Sequence, residues 1–137
     1  MAGTAYVDSS ALLKLALREP ETAALEADLA DRDGLVASRL EVVECRRAAR
    51  RASHRRVLST VDEILEAIYL IEVTPAILDA AAAADPPPLR SLDAIRLATA
   101  LSVRDPRMDV ITYDDRFAAA ARAHGLTVVQ PGRKHLA

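Results

Sequence analysis

The chain is poor in residues that several common chemistries need. Its 137 residues include one cysteine, Cys45, which excludes an intramolecular disulfide and a cysteine-based zinc site. Tryptophan is absent and aromatic residues are 3% of the chain, too few for a broad surface on which nucleic-acid bases stack. The histidines, His54, His124 and His135, are scattered without metal-ligand spacing. No apolar run approaches the roughly 18 residues that span a bilayer. The opening "MAGTAYVDSS" lacks the basic start and apolar stretch of a secretory signal. These absences lead us to expect a soluble, cytoplasmic protein with no membrane partner. Lysine is also scarce, since only Lys14 and Lys134 accompany sixteen arginines. A net charge of −2 gives no overall basic signature for nucleic acid, but arginine's planar fork favours specific phosphate contacts over diffuse attraction.

Hydrophobic residues make up 51%, enough for one domain spanning residues 1–137 with a real core. "TAYVD" reads as a strand and "SSALLKLALRE" as a helix. Pro20 fits the first turn of a second helix, "PETAALEADLADRD", and "LVAS" reads as a buried strand. "SRLEVVECRRAARRAS" and "VLSTVDEILEAIYL" give two more helices, and "IEV" is too short to assign. "TPAILDAAAAA" opens a helix with Thr74 as cap and Pro75 at its first position. "DPPPLR" predicts an extended loop, and "SLDAIRLATALSV" a helix capped by Ser91. "MDVITY" is a strand, "DRFAAAARAH" a helix closed by Gly125, and "LTVVQP" the last strand. Strands alternating with helices predict an α/β fold, a mainly parallel sheet flanked by helices on both faces.

Ligands of such sheets sit beyond the carboxyl ends of the strands. Asp8 ends the first strand and Asp114 follows "MDVITY", so both mark that edge, and Asp93 lies in the first turn of its helix. Each aspartate alone reads as a helix cap. Together, carboxylates in one cleft repel one another unless a cation sits among them. Without histidine or cysteine, the suitable ion is hard and oxygen-loving, magnesium or manganese. The third helix offers Glu41 and Glu44. Ser38 and Glu41 form the S-x-x-E pattern of a capping box, which gives Glu41 a structural task whose loss costs about 1 kcal/mol. Glu44 has no such task and borders the apolar face, so it is the better fourth acid.

With Asp8, Glu44, Asp93 and Asp114 in that order, the chain resembles the PIN-domain nucleases, specifically the VapC-type toxins of bacterial toxin–antitoxin pairs. The resemblance runs through "YVDSSALLKL", "SRLEVVECRRA", "SLDAIRLATAL" and "ITYDDRFAAAARAHGL". It implies a PIN domain acting as a magnesium-dependent endoribonuclease, with manganese able to substitute. Asp8, Asp93 and Asp114 would hold the metal, and Glu44 would position or deprotonate the attacking water. Ser9, Ser10, Thr112 and the extra acid Asp115 would support the site. The chain departs from the pattern at Arg96, where relatives often carry histidine, and at Arg116, where some carry an acid. The family habit further implies a VapB-type antitoxin, homodimerisation and an RNA substrate.

The stretch "RRAARRASHRR" contains no acid, and Arg46, Arg47, Arg50 and Arg51 within it are candidate phosphate contacts. The ordinary reading is a solvated helix face. Two other functions compete with the nuclease. A catalytically inactive interaction module would share the fold. A phospho-accepting receiver domain also gathers acids at strand ends, but its usual lysine after the last strand is missing from "VVQPG".

Overall fold

The computed structural model describes residues 3–133; Lys134 and His135 lie outside them. The sheet is built from very short strands. These are β1 (Ala5–Val7), β2 (Leu35–Ser38), β3 (Tyr69–Ile71), β4 (Asp109–Ile111) and β5 (Thr127–Val129). All neighbours pair in parallel, in the order β3-β2-β1-β4-β5. Parallel strands need crossovers, and the crossovers cover both faces with helices. The helices are α1 (Ser9–Ala16), α2 (Thr22–Ala30), α3 (Leu40–Ala52), α4 (Arg55–Glu66), α5 (Pro75–Ala82), α6 (Ser91–Ser102) and α7 (Asp115–Ala123).

The central strand shows why the face of each residue is fixed. Successive side chains of a strand point to opposite faces. Ala5 and Val7 accordingly join Leu12, Leu25, Cys45, Val61 and Leu65 in one core cluster. Tyr6, between them, joins Leu97, Val110, Phe117 and Ala121 in the other. All three residues of β1 are wholly buried, so the segment reads as a continuous apolar run rather than an alternation.

The chain builds outward from β1 through β2 to β3, then returns to place β4 on the other side. The strand order therefore reverses between β1 and β4, where such sheets open a crevice. Val7 lies in register with Ile111, so the next residues, Asp8 and Thr112, emerge side by side at that crevice.

Several element ends differ from the sequence expectation. The fourth helix stops at Glu66, because "YLI" leaves it to pair with β2 as an edge strand. Val61 and Leu65 on the helix's apolar stripe, and Ile68 just beyond its end, are buried in the core and are thus committed to packing. Pro20 precedes α2 rather than starting it, and Thr22 is the first helical residue. Ser91 is itself helical and Arg90 precedes it without a side-chain cap bond. The "DPPPLR" segment turns back on itself, with Leu89 N donating to Pro86 O at 2.9 Å, instead of running extended. Thr74 and Pro75 occupy the expected cap and first helical positions, and Gly125, with φ +82°, closes α7 in the left-handed conformation.

Candidate active site

Asp8 is the residue around which the crevice is organised. It is the N-cap of α1, accepting from Ala11 N at 3.2 Å. It does more than cap. Ser10 Oγ donates to Oδ1 and Thr112 Oγ1 donates to Oδ2, each at 2.6 Å. The two hydroxyls lie 3.2 Å apart. Tyr113 N donates to Ser10 Oγ at 2.8 Å and Asp114 N to Thr112 Oγ1 at 3.1 Å. The turn after β4 is thereby tied to the turn after β1. Burial pushes the Asp8 carboxyl above its ordinary value, although the hydroxyls, Ala11 N and the Arg96 charge favour ionisation.

The third helix contributes both of its glutamates. Glu41 is wholly buried, with Oε2 accepting from Ser9 N at 2.8 Å and Oε1 from Arg96 Nε at 2.8 Å. The expected capping box is not formed. Ser38 Oγ accepts from Leu40 N at 3.1 Å, and Glu41 reaches across to α1 and α6. The physical reason is that the first N–H groups of α1 are open donors at the positive end of a helix, and a buried carboxylate satisfies them. Glu44, one turn on and half-buried, accepts from Ser9 Oγ at 2.9 Å and pairs with Arg96 Nη2.

Asp93, in the first turn of α6, is buried and accepts from Arg96 Nη1 at 3.1 Å. The Arg96 guanidinium thus gives each of its three nitrogens to a different carboxylate, those of Glu41, Asp93 and Glu44. The side chain is only 8% exposed. Burial works against its charge, but Glu41, Glu44 and Asp8 outweigh burial and hold its pKa above the ordinary value. Tyr6 Oη donates to the Arg96 carbonyl at 2.9 Å and pins this part of α6 to β1. The sequence marks Arg96 as a departure from a family pattern, but its task depends on partners as many as 55 positions away, which no local motif reveals.

Asp114 sits at the same edge but apart from the guanidinium. It is exposed and caps α7, its Oδ1 accepting from Arg116 N at 2.9 Å and Phe117 N at 3.2 Å. Its tie to the buried acids is the Asp114 N–Thr112–Asp8 chain. Asp115 does not join the site. Arg133 grips it with two nitrogens at 2.7 and 2.9 Å, which holds the segment after β5 against α7.

The donors are all oxygen, from Asp8, Glu41, Glu44, Asp93, Ser9, Ser10 and Thr112, a set that suits a hard divalent cation. Among the described residues no three acidic, histidine or cysteine side chains already form a metal-ready group. The central place is held by Arg96. Cys45, behind the site, is buried and pushed up to about 12, mainly by burial, so it is inert as a nucleophile.

Comparison with known proteins places the chain in a family. The PIN domain family model matches residues 5–123. The chain belongs to the PIN domain family. Within that family it is of the VapC type. It is 40% identical over 132 residues to "Ribonuclease VapC46" of Mycobacterium tuberculosis, covering 92% of this chain and 96% of that protein. It is 42% identical over 132 residues to "Ribonuclease VapC35" of the same species, covering 93% and 97%. The crystal structure of Mycobacterium tuberculosis VapC20, described as a Sarcin-Ricin loop cleaving toxin, shares the fold with a TM-score of 0.71 at 19% identity, covering 93% of this chain and 99% of that one.

Two consequences of the buried acids are open to measurement. Burial foremost, with help from Asp8 and Glu44 and against Arg96, pushes Glu41 up to about 7 from 4.5. A carboxyl that binds its proton more tightly in the folded state loses stability as pH rises through that interval. This carboxyl by itself should therefore take roughly 3 kcal/mol from the metal-free protein between pH 4.5 and pH 7, at about 1.4 kcal/mol for each pH unit. Denaturant unfolding in chelator across that range checks this, and a flat profile would show Glu41 ionised throughout. Glu41→Ala should cost about 2–3 kcal/mol, because it leaves Ser9 N without its acceptor at a wholly buried position, rather than the ~1 kcal/mol of a lost cap. The same unfolding assay separates the two values.

Proposed function

We propose that this VapC-type PIN protein is a divalent-metal-dependent endoribonuclease and the toxin half of a toxin–antitoxin pair. The observation that carries this reading is the convergence of Asp8, Glu41, Glu44 and Asp93 on one crevice, with Asp114 at its rim. The curated relatives bear the name ribonuclease. One structural neighbour is a toxin–antitoxin complex from Klebsiella pneumoniae. These names support an RNA substrate and a VapB-type antitoxin for this chain. Among the described residues no helix is long and apolar enough to cross a membrane, and the proposed place of action is the cytoplasm, where RNA is met.

Asp8, Asp93 and Asp114 are the residues that would hold magnesium, or manganese in its place. When bound, the ion would polarise a phosphate oxygen and lower the pKa of water at the site. The protein's own part is positioning and proton transfer. Ser10 and Thr112 fix both oxygens of Asp8. Ser9 orients Glu44, which is open enough to solvent to accept the proton of an attacking water. Attack on phosphorus breaks the bond to the 3′ oxygen, leaving a 5′-phosphate and a free 3′-hydroxyl. No neighbouring 2′-hydroxyl is needed.

The arginines of α3 divide by face. Helical spacing puts Arg47 and Arg51 on the Glu44 side, running back roughly 10 Å from it. Arg46 lies on another side and pairs with Asp62 of α4 at 3.2 Å. Arg50 lies near Arg46 around the helix. The phosphate track is therefore carried best by Arg47 and Arg51, both exposed. A receiver-like role is disfavoured by the end of β5, where Gln130 Nε2 donates to Thr112 O at 3.0 Å, and by Lys14, the one lysine among the described residues, which is held by Glu19 and Glu21.

Incubation of the pure protein with RNA and magnesium should give products with 5′-phosphate ends, and excess chelator should stop the reaction. Asp8→Asn and Asp93→Asn should abolish cleavage, and Glu44→Gln should slow single turnovers by roughly 10²–10⁴-fold, as expected for a lost general base. Full cleavage by Asp93→Asn, or products ending in cyclic phosphate, would overturn the mechanism.

Replacing Arg47 and Arg51 together with Gln should weaken RNA binding and lower its salt dependence by about one unit of slope per lost contact. Affinity measured over a salt series tests this, and an unchanged slope would make the pair a solvated face.

A further inference from the structure

We propose that Arg96 is the resident counter-cation of the acidic crevice and competes with a divalent ion for it, so that this side chain sets how much metal the protein needs. The inference rests on the reading of the crevice as a divalent-metal site and adds a control on that site.

Three observations support it. First, the guanidinium stands among the carboxylates, each nitrogen on a different acid: Nε on Glu41, Nη1 on Asp93 and Nη2 on Glu44. The fork holds one oxygen of each of Asp93 and Glu44, so a metal drawing on either acid meets the guanidinium charge on the same carboxylate.

Second, three other cations near this edge are engaged elsewhere. Lys14 bonds Glu19 and Glu21, Arg39 pairs with Glu72 at 2.6 Å, and Arg133 holds Asp115. Among the described residues, the ion pairs made by Glu41, Glu44 and Asp93 all run to Arg96. It is therefore the group that relieves their mutual repulsion when no metal is bound.

Third, a divalent ion and a guanidinium within a few ångströms of each other repel strongly in a partly desolvated cleft. Both cannot hold the same carboxylates at full charge. Glu41 lies deepest, wholly buried and bonded to Ser9 N as well. Metal entry would leave Arg96 on Glu41 and free Asp93 and Glu44. The backbone of α6 need not move for this, since Tyr6 fixes it at the Arg96 carbonyl.

The test is direct binding of Mn²⁺ to metal-free protein, read by electron paramagnetic resonance of the free ion and by the rise in Tm at saturating Mn²⁺. Competition predicts that Arg96→Gln binds Mn²⁺ at least about ten-fold more tightly than wild type, because one opposing charge is removed, and gains more in Tm. Arg96→Lys keeps the charge and should stay within about three-fold of wild type or bind more tightly. Equal or weaker binding by Arg96→Gln would overturn the proposal. If Arg96→Gln does not fold without metal, Arg96→Lys decides: about ten-fold weaker binding would show that the fork organises the ligands instead of competing with the ion. Asp93→Asn in the wild-type background separates the two levels of inference. Mn²⁺ binding that is lost in Asp93→Asn but no tighter in Arg96→Gln overturns the competition alone. Binding absent from wild type and Arg96→Gln alike, or unaffected by Asp93→Asn, overturns the metal site and the competition together.

Discussion

Carboxylates crowded at one edge of a sheet must be neutralised, protonated or pulled apart, and the architecture around this crevice answers that constraint. Parallel strands place their following residues at a common edge, so the acids arrive there by topology. Asp8 is stabilised by hydroxyls and an N–H group. Glu41 is partly relieved by raised proton affinity. Arg96 supplies the one guanidinium that Glu41, Glu44 and Asp93 share. The same arrangement that makes the cleft attractive to a divalent ion makes the metal-free protein less stable, because repulsion among acids is stored in the fold.

The hydroxyls matter as much as the acids. Thr112 bonds Asp8 across the point where the strand order reverses. Ser10 bonds both Asp8 and the backbone of Tyr113. These short contacts join the first and fourth strand ends into one unit without adding charge. Gln130 then holds the Thr112 carbonyl, and Tyr113 Oη donates to Pro131 O at 2.7 Å. The end of the last strand is thus tied to the turn after β4 by bonds between uncharged groups, and that turn to Asp8 by hydroxyls.

What can be read from the sequence follows the range of each interaction. Asp8 and Asp114 are visible because they interrupt apolar strands at fixed places, and Thr74–Pro75 because a cap is local. The role of Glu41 escapes a sequence reading for a physical reason. S-x-x-E describes a glutamate facing back along its own helix, and sequence alone does not show that the N-terminus of α1 offers a buried donor instead. Ser9 is 32 positions away. The boundary between α4 and β3 is hidden because the helical stripe Val61, Leu65, Ile68 runs on without a proline or glycine. Only pairing with β2 ends it. Burial of that stripe also closes it to any partner, a point that periodicity leaves open.

The paired aspartates after β4 show how one motif divides its labour. Asp114 caps α7 with one carboxylate oxygen, and its own N–H joins the chain of bonds leading to Asp8. Asp115 faces away and secures Arg133. Arg133 also donates to the Tyr113 carbonyl at 3.2 Å. Asp115 keeps a surface arginine occupied. The acids around this edge fall into two sets. One set lies inside the crevice, where Glu41, Glu44 and Asp93 share Arg96 and Asp8 is held by hydroxyls, and the other lies at the rim, where Asp114 caps α7 and Asp115 holds Arg133. The acid that looks surplus in the sequence acts outside the crevice, where its pair with Arg133 ties the segment after β5 to α7.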